Sequence, residues 1–149
     1  MRYGSRLGRI LGAFGAAALL GGAAGPDCRL DVEVHSLRSS DGLVHLCMTS
    51  KPVHFPECAD DASAYTTTVP AAATLRLRFT NLRPGRYAIA LLHDENGNGR
   101  VDKTLMLPRE GFGFSRDAKI RMGPPSFDSA AFELDSARAK QRIRMRYLL

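Results

Sequence analysis

Hydrophobic and polar residues alternate along most of the chain. In RLDVEVHSL, Leu30, Val32 and Val34 alternate with polar residues, the period of a strand with one buried face. GLVHLCMT sets Val44, Leu46 and Met48 on one side. ATLRLRFTNL places Leu75, Leu77 and Phe79 opposite Arg76 and Arg78, and QRIRMRYLL places Ile143, Met145 and Tyr147 opposite Arg142, Arg144 and Arg146. RYAIALLH differs, because Tyr87, Ile89 and Leu91 face away from Ala88, Ala90 and Leu92, which are apolar too. That pattern predicts a central strand covered on both faces. AAFELD reads as a further short strand, and no window of comparable length carries a helical stripe. SSDG (39–42) and LRPG (82–85) are turn signals, with Pro84-Gly85 fitting the centre of a type II turn. The pattern predicts an all-β fold, a single antiparallel β-sandwich of about seven strands of the prealbumin or immunoglobulin-like kind. Residues 94–126 show almost no strand pattern and are expected to form one long ordered loop.

A chain of 149 residues is one domain by length. Its first 25 residues read as a secretion signal peptide, with Arg2, Arg6 and Arg9 before an apolar run from Ile10 to Leu20 and small residues in GGAAG. The run is shorter than the roughly 20 apolar residues that span a bilayer, so no stable membrane span is expected once the signal is cleaved; the competing reading is a retained anchor. Asp27 before Cys28 argues against lipidation. The expected product is an exported domain over 29–149, periplasmic or extracellular. Export changes the charge. Without the signal, 18 Lys and Arg stand against 15 Asp and Glu, a net of +3 rather than +6. So mild a charge gives no reason to expect nucleic acid. In an oxidising compartment Cys47 and Cys58 are expected to bond, the alternatives being a pairing through Cys28 or free thiols.

The candidate chemistry lies in HDENGNGRVD (93–102). Asp94, Asn96 and Asn98 fill alternate positions of a calcium loop, Gly99 stands at the sharp turn, the Arg100 carbonyl is the next ligand and Asp102 follows. Oxygens two residues apart on a curling loop converge on one hard cation. The last position departs, because Leu105 stands where a bidentate Glu belongs. Glu110 is the nearest later carboxylate that can fold back to complete the shell. Binding in the range of roughly 10⁻⁴–10⁻³ M is expected. The plainer reading is a solvated Asn-Gly turn with no ion.

GFGFS (111–115) alternates Phe112 and Phe114 with glycines. The rings are either a small platform for a sugar or peptide or a plug for one end of the sandwich, and the lack of Trp favours the plug. The arginine faces of 76–78 and 142–146 form a basic patch if their strands are neighbours. Such a patch suits an envelope glycan or an acidic protein, whereas single arginine stripes are ordinary solvated faces. His35, His45, His54 and His93 share no metal spacing, and neither G-x-S-x-G nor H-E-x-x-H occurs.

The stretches FTNLRPGRYAIALLHDENGNGRVD, PREGFGFS (108–115) and GPPSFDSAAF (123–132), in that order, resemble a bacterial exported family known only as domain of unknown function 2141. F-x-N-L-x-P-G-x-Y also resembles carboxypeptidase-regulatory and transthyretin-like modules, which implies a β-sandwich. The resemblance implies no activity. The expected function is a non-catalytic structural or binding module of the cell envelope with a weak calcium site. The alternative is a carbohydrate- or peptide-binding module using Phe112, Phe114, Arg142, Arg144 and Arg146. A small hydrolase built on Asp94 and Glu110 stands third.

Overall fold

The computed structural model describes residues 27–99, 103–104, 107–135 and 137–149. The expected signal segment 1–25 lies outside them. The strands are β1 (Cys28–His35), β2 (Leu43–Thr49), β3 (Tyr65–Pro70), β4 (Thr74–Leu82), β5 (Gly85–Asp94), β6 (Lys103–Thr104), β7 (Leu107–Pro108), β8 (Gly111–Phe114), β9 (Phe132–Leu134), β10 (Arg138–Arg144) and β11 (Arg146–Tyr147). One helical turn, α1 (Phe127–Ala130), is capped by Ser126, whose side chain accepts from the Ser129 amide. A first sheet runs β10-β1-β4; a second runs β11-β8-β5-β2-β3, with β9 also on β5; β6 and β7 pair separately. No helix among the described residues is long and apolar enough to cross a membrane.

The all-β sandwich is as expected, and the alternating residues build it. Leu30, Val32 and Val34 of β1, Val44, Leu46 and Met48 of β2, Ile89 and Leu91 of β5, and Ile143 of β10 are all buried in one core between the sheets. Each such side chain contributes about 1.5–3 kcal/mol. The outer face of β5 supplies Ala88 and Ala90 to a second core with Phe114, Ala118, Phe127, Ala130 and Ala131, and Phe55, Phe112 and Ile120 close over it. This is why β5 is apolar on both sides.

Four expectations need correction. The pairing is not antiparallel throughout, because β1 and β10 run parallel, Arg29 opposite Arg138 through His35 opposite Arg144. The strands exceed seven because the stretch 94–126 is not one loop but contains β6, β7 and β8. β8 escapes a hydropathy reading because one of its faces is glycine. A Cβ on Gly111 would lie 2.3 Å from the Tyr147 ring, and one on Gly113 would lie 2.9 Å from Ile143 and from Met145. Arg142, Arg144 and Arg146 do not share one strand: β10 ends at Arg144, Met145 turns into the core, and Arg146 joins the second sheet opposite Phe112. Finally, the left-handed residue before β5 is Asn81 (φ 57°) rather than Gly85, so the 82–85 turn is not of type II.

Cys47 and Cys58 are bonded, with Cα atoms 5.7 Å apart; Cys28 is buried at the start of β1 and lies outside that bond. The bond fixes the 50–63 excursion to β2, and the same excursion carries Phe55, whose ring meets those of Phe114 and Phe127 edge-on with centroids 6.0 Å away in each case. Its base is a polar knot. The buried Asp61 carboxylate accepts from Lys51 Nζ (2.8 Å), Ser63 Oγ (2.6 Å) and Thr49 Oγ1 (2.6 Å). Those donors, Lys51 first, hold it well below the usual carboxylate range.

Candidate functional site

β5 ends on Asp94, which is buried. The turn before β2 fixes this end, because Gly42 sits at φ 70° where the Asp94 and Glu95 backbone leaves no room for a side chain. Beyond it the chain folds round the Asp94 carboxylate. Oδ2 accepts from the Gly99 amide (2.7 Å) and Oδ1 from the Asn98 amide (3.3 Å), which also reaches Asn96 Oδ1 (3.2 Å). Gly97 N donates to the Asp94 carbonyl at 3.3 Å. Gly97 (φ 67°) and Gly99 (φ 71°) supply the left-handed bends that a side chain would oppose. His45 Nε2 lies 3.4 Å from Oδ2, and its Nδ1 lies 2.9 Å from Thr68 Oγ1. Burial pushes the Asp94 carboxyl up, but the Gly99 amide, the His45 ring and the amides of Asn98 and Gly97 outweigh it, and the group stays below its ordinary pKa.

The loop therefore has an ionised acceptor at its centre. A carboxylate offers about four lone-pair sites. The Gly99 amide and the His45 ring meet Oδ2 while the Asn98 amide meets Oδ1, so the open capacity for a cation is on Oδ1. Asn96 lines a small cleft with Glu110, Glu95, Arg38 and Arg109, and Glu110 is itself buried. Asn98 meets Asp94 through its backbone rather than its side chain. Arg100 and Asp102 lie outside the described residues. Among the described residues no three His, Cys, Asp or Glu side chains gather as a metal cluster; Asp102, the third carboxylate of the expected set, lies outside them.

Sequence reasoning missed the network beside this loop. Arg38 NH2 donates to Glu95 Oε2 at 2.6 Å and to the Arg109 carbonyl at 2.8 Å, NH1 donates to the Leu149 carbonyl, and the guanidinium lies 4.5 Å above the Tyr147 ring. Ser39 Oγ also donates to Glu95, at 2.7 Å. Behind them sits His93, fully buried. Its Nε2 is 2.8 Å from the Asp41 carbonyl, which only accepts, so Nε2 donates; Nδ1 then accepts from the Tyr147 hydroxyl at 2.7 Å. The network ties the start of the loop to the last strand, and its partners stand 57 residues apart for Arg38 and Glu95 and 109 for Arg38 and Tyr147. No local motif announces it.

Arg38, with Ser39, holds the Glu95 carboxyl down at about 2. A carboxylate whose pKa is depressed on folding adds stability above its unfolded pKa and loses it as pH falls through the folded one. Glu95 thus contributes above about pH 4.5 and loses its contribution down towards about 2. Urea midpoints measured across that window should fall with acidification, and Glu95→Gln should flatten the slope. An unchanged slope in the variant would remove Glu95 from the account.

The remaining candidates are dispersed. Phe114 is buried in the second core and Phe112 half-buried beside it, so the GFGF rings offer little free face for stacking. The arginines of β4 and β10 are not neighbours, because β1 lies between them with an acidic outer face. Arg78 Nε reaches Asp31 at 2.7 Å, while Arg142 Nε and Lys140 Nζ reach Glu33 at 3.2 Å and 3.6 Å. The expected basic patch is therefore interrupted by the two carboxylates of β1, which pair with Arg78, Lys140 and Arg142.

Residues 32–142, from β1 into β10, match the family model described as "Uncharacterized protein conserved in bacteria (DUF2141)". No curated protein matches the chain, and no solved structure does.

Proposed function

The chain belongs to this uncharacterised bacterial family, and we propose that it is an exported, non-catalytic β-sandwich module whose 94–102 loop holds a calcium ion. The reading is carried by the Asp94 carboxylate: buried, ionised and already wrapped by the amides of Asn98 and Gly99. The amides of Asn98 and Gly99 curl the 94–99 stretch round its first ligand, which lowers the ordering entropy that binding must offset. Asp94, Asn96, Asn98, the Arg100 carbonyl and Asp102 would hold the ion, and Glu110, in the same cleft as Asn96, would complete the shell. Bound there, the cation supplies charge neutralisation and a cross-link between the loop and the β8 end of the second sheet. The Cys47–Cys58 bond accords with an oxidising, exported setting.

Calorimetric titration should give a Kd of roughly 10⁻⁴–10⁻³ M. At about 10 mM calcium the melting temperature should rise by a few degrees, the mass-action gain for such a site being about 1.4–2.7 kcal/mol. Asp102→Asn should reduce the shift and leave the melting temperature in chelator unchanged. No heat and no shift in the wild type at that concentration would end the proposal.

A further inference from the structure

Two of the arginines expected on the basic patch, Arg144 and Arg146, lie instead with a second group of cations around the turn at 116–117. The segment 115–121 is fastened along the edge strand β10. Arg116 N donates to Gln141 Oε1 (3.3 Å), the Arg144 amide donates to Asp117 Oδ1 (2.9 Å), and Arg146 NH1 donates to the Asp117 carbonyl (3.3 Å). Arg116 (φ 58°) and Asp117 (φ 51°) both take the left-handed conformation to make this turn, a strain of about 1–2 kcal/mol for each residue. The fastening brings the turn at Arg116 and Asp117 against Arg144 and Arg146, and Lys119 and Arg121 follow in the same segment. Four of these cations are exposed and Arg146 is half-buried. None of the five takes part in a salt bridge among the described residues. Asp117 is the one carboxylate in the turn itself, and its Oδ1 is taken by the Arg144 amide. Directly after Arg121 stands Met122, wholly exposed at 105%.

We infer that this corner is a docking surface for an anionic bilayer, with the five cations meeting phosphate headgroups and Met122 entering the headgroup boundary. Charge alone would suit any polyanion. The unpacked thioether side chain at the tip favours a lipid surface, because a flexible apolar group flanked by cations gains by entering the interface while the cations stay at headgroup level. Each cation near an anionic leaflet strengthens binding by roughly fivefold, and salt screens it. The inference is independent of calcium in the 94–102 loop.

Flotation of the whole protein with phosphatidylcholine vesicles, with and without phosphatidylglycerol, tests it. Binding should require the anionic lipid and disappear in about 0.5 M NaCl, where the Debye length is only a few ångström. Lys119→Glu and Arg121→Glu should each weaken binding by roughly fivefold or more. Arg76→Glu changes the net charge equally on β4, at the edge of the first sheet away from β10, and should leave binding unchanged. Met122→Ser should weaken vesicle binding while leaving retention on heparin as it was. Equal binding to neutral vesicles would overturn the inference. So would equal losses in Arg76→Glu and Arg121→Glu. Retention on heparin with no vesicle binding would assign the surface to an acidic glycan instead.

Discussion

Gly42→Ala is expected to destabilise the protein by about 3–5 kcal/mol, a loss reserved for backbone strain and severe overpacking. Two effects add. The residue sits at φ 70°, where a side chain is strained. The added carbon would also lie 2.0 Å from the Asp94 carbonyl oxygen and 2.6 Å from the Glu95 backbone. These are main-chain atoms and cannot rotate aside. Relief requires β2 and β5 to part where Leu43 faces Asp94, and that displaces the Asp41 carbonyl from His93 and Ser39 from Glu95. Urea denaturation at neutral pH measures the loss directly. A variant within about 1 kcal/mol of the wild type would mean that the turn and the loop are not in contact.

The second large effect belongs to the disulfide. Closing the 11-residue separation between Cys47 and Cys58 removes loop entropy from the unfolded chain worth about 3 kcal/mol. The paired variant Cys47→Ser, Cys58→Ser should therefore lose about that much, and its urea midpoint should ignore dithiothreitol while that of the wild type falls in it. The bond also holds Phe55 over Phe114 and Phe127, so the variant should bind more of an apolar dye under native conditions. A wild-type midpoint indifferent to reductant would show that the bond contributes nothing.

What the sequence disclosed follows from how local each signal is. β1, β2 and β4 alternate without interruption, and the two-sided apolar character of β5 correctly announced a strand covered on both faces. β8 was hidden because its inward face is Gly111 and Gly113, which register as turn formers until Tyr147, Ile143 and Met145 are seen to need the room. The division between β10 and β11 was hidden for the opposite reason: the alternation runs unbroken through Met145 while the chain changes sheets. The spacing of Asp94, Asn96, Asn98 and Gly99 was legible, as was the sharp bend at Gly99. The burial of Asp94 and the Arg38–Glu95 pair were not, since the turn at Gly42 that covers the end of β5 and Arg38 itself come from far along the chain. The arginine faces misled because Asp31 and Glu33, which separate them and pair with Arg78 and Arg142, arrive on a strand that the pattern gave no reason to place between them.

The parallel pairing of β1 with β10 has a bearing on biosynthesis. Arg29 meets Arg138, so the oldest strand waits for nearly the youngest before its sheet is complete, whereas β2, β3 and β5 find one another within a single intermediate stretch. Contacts that close over such spans form slowly. A chain not yet made past β9 therefore lacks the strand that completes its first sheet, and that edge of β1 stays open until residues 138–144 arrive.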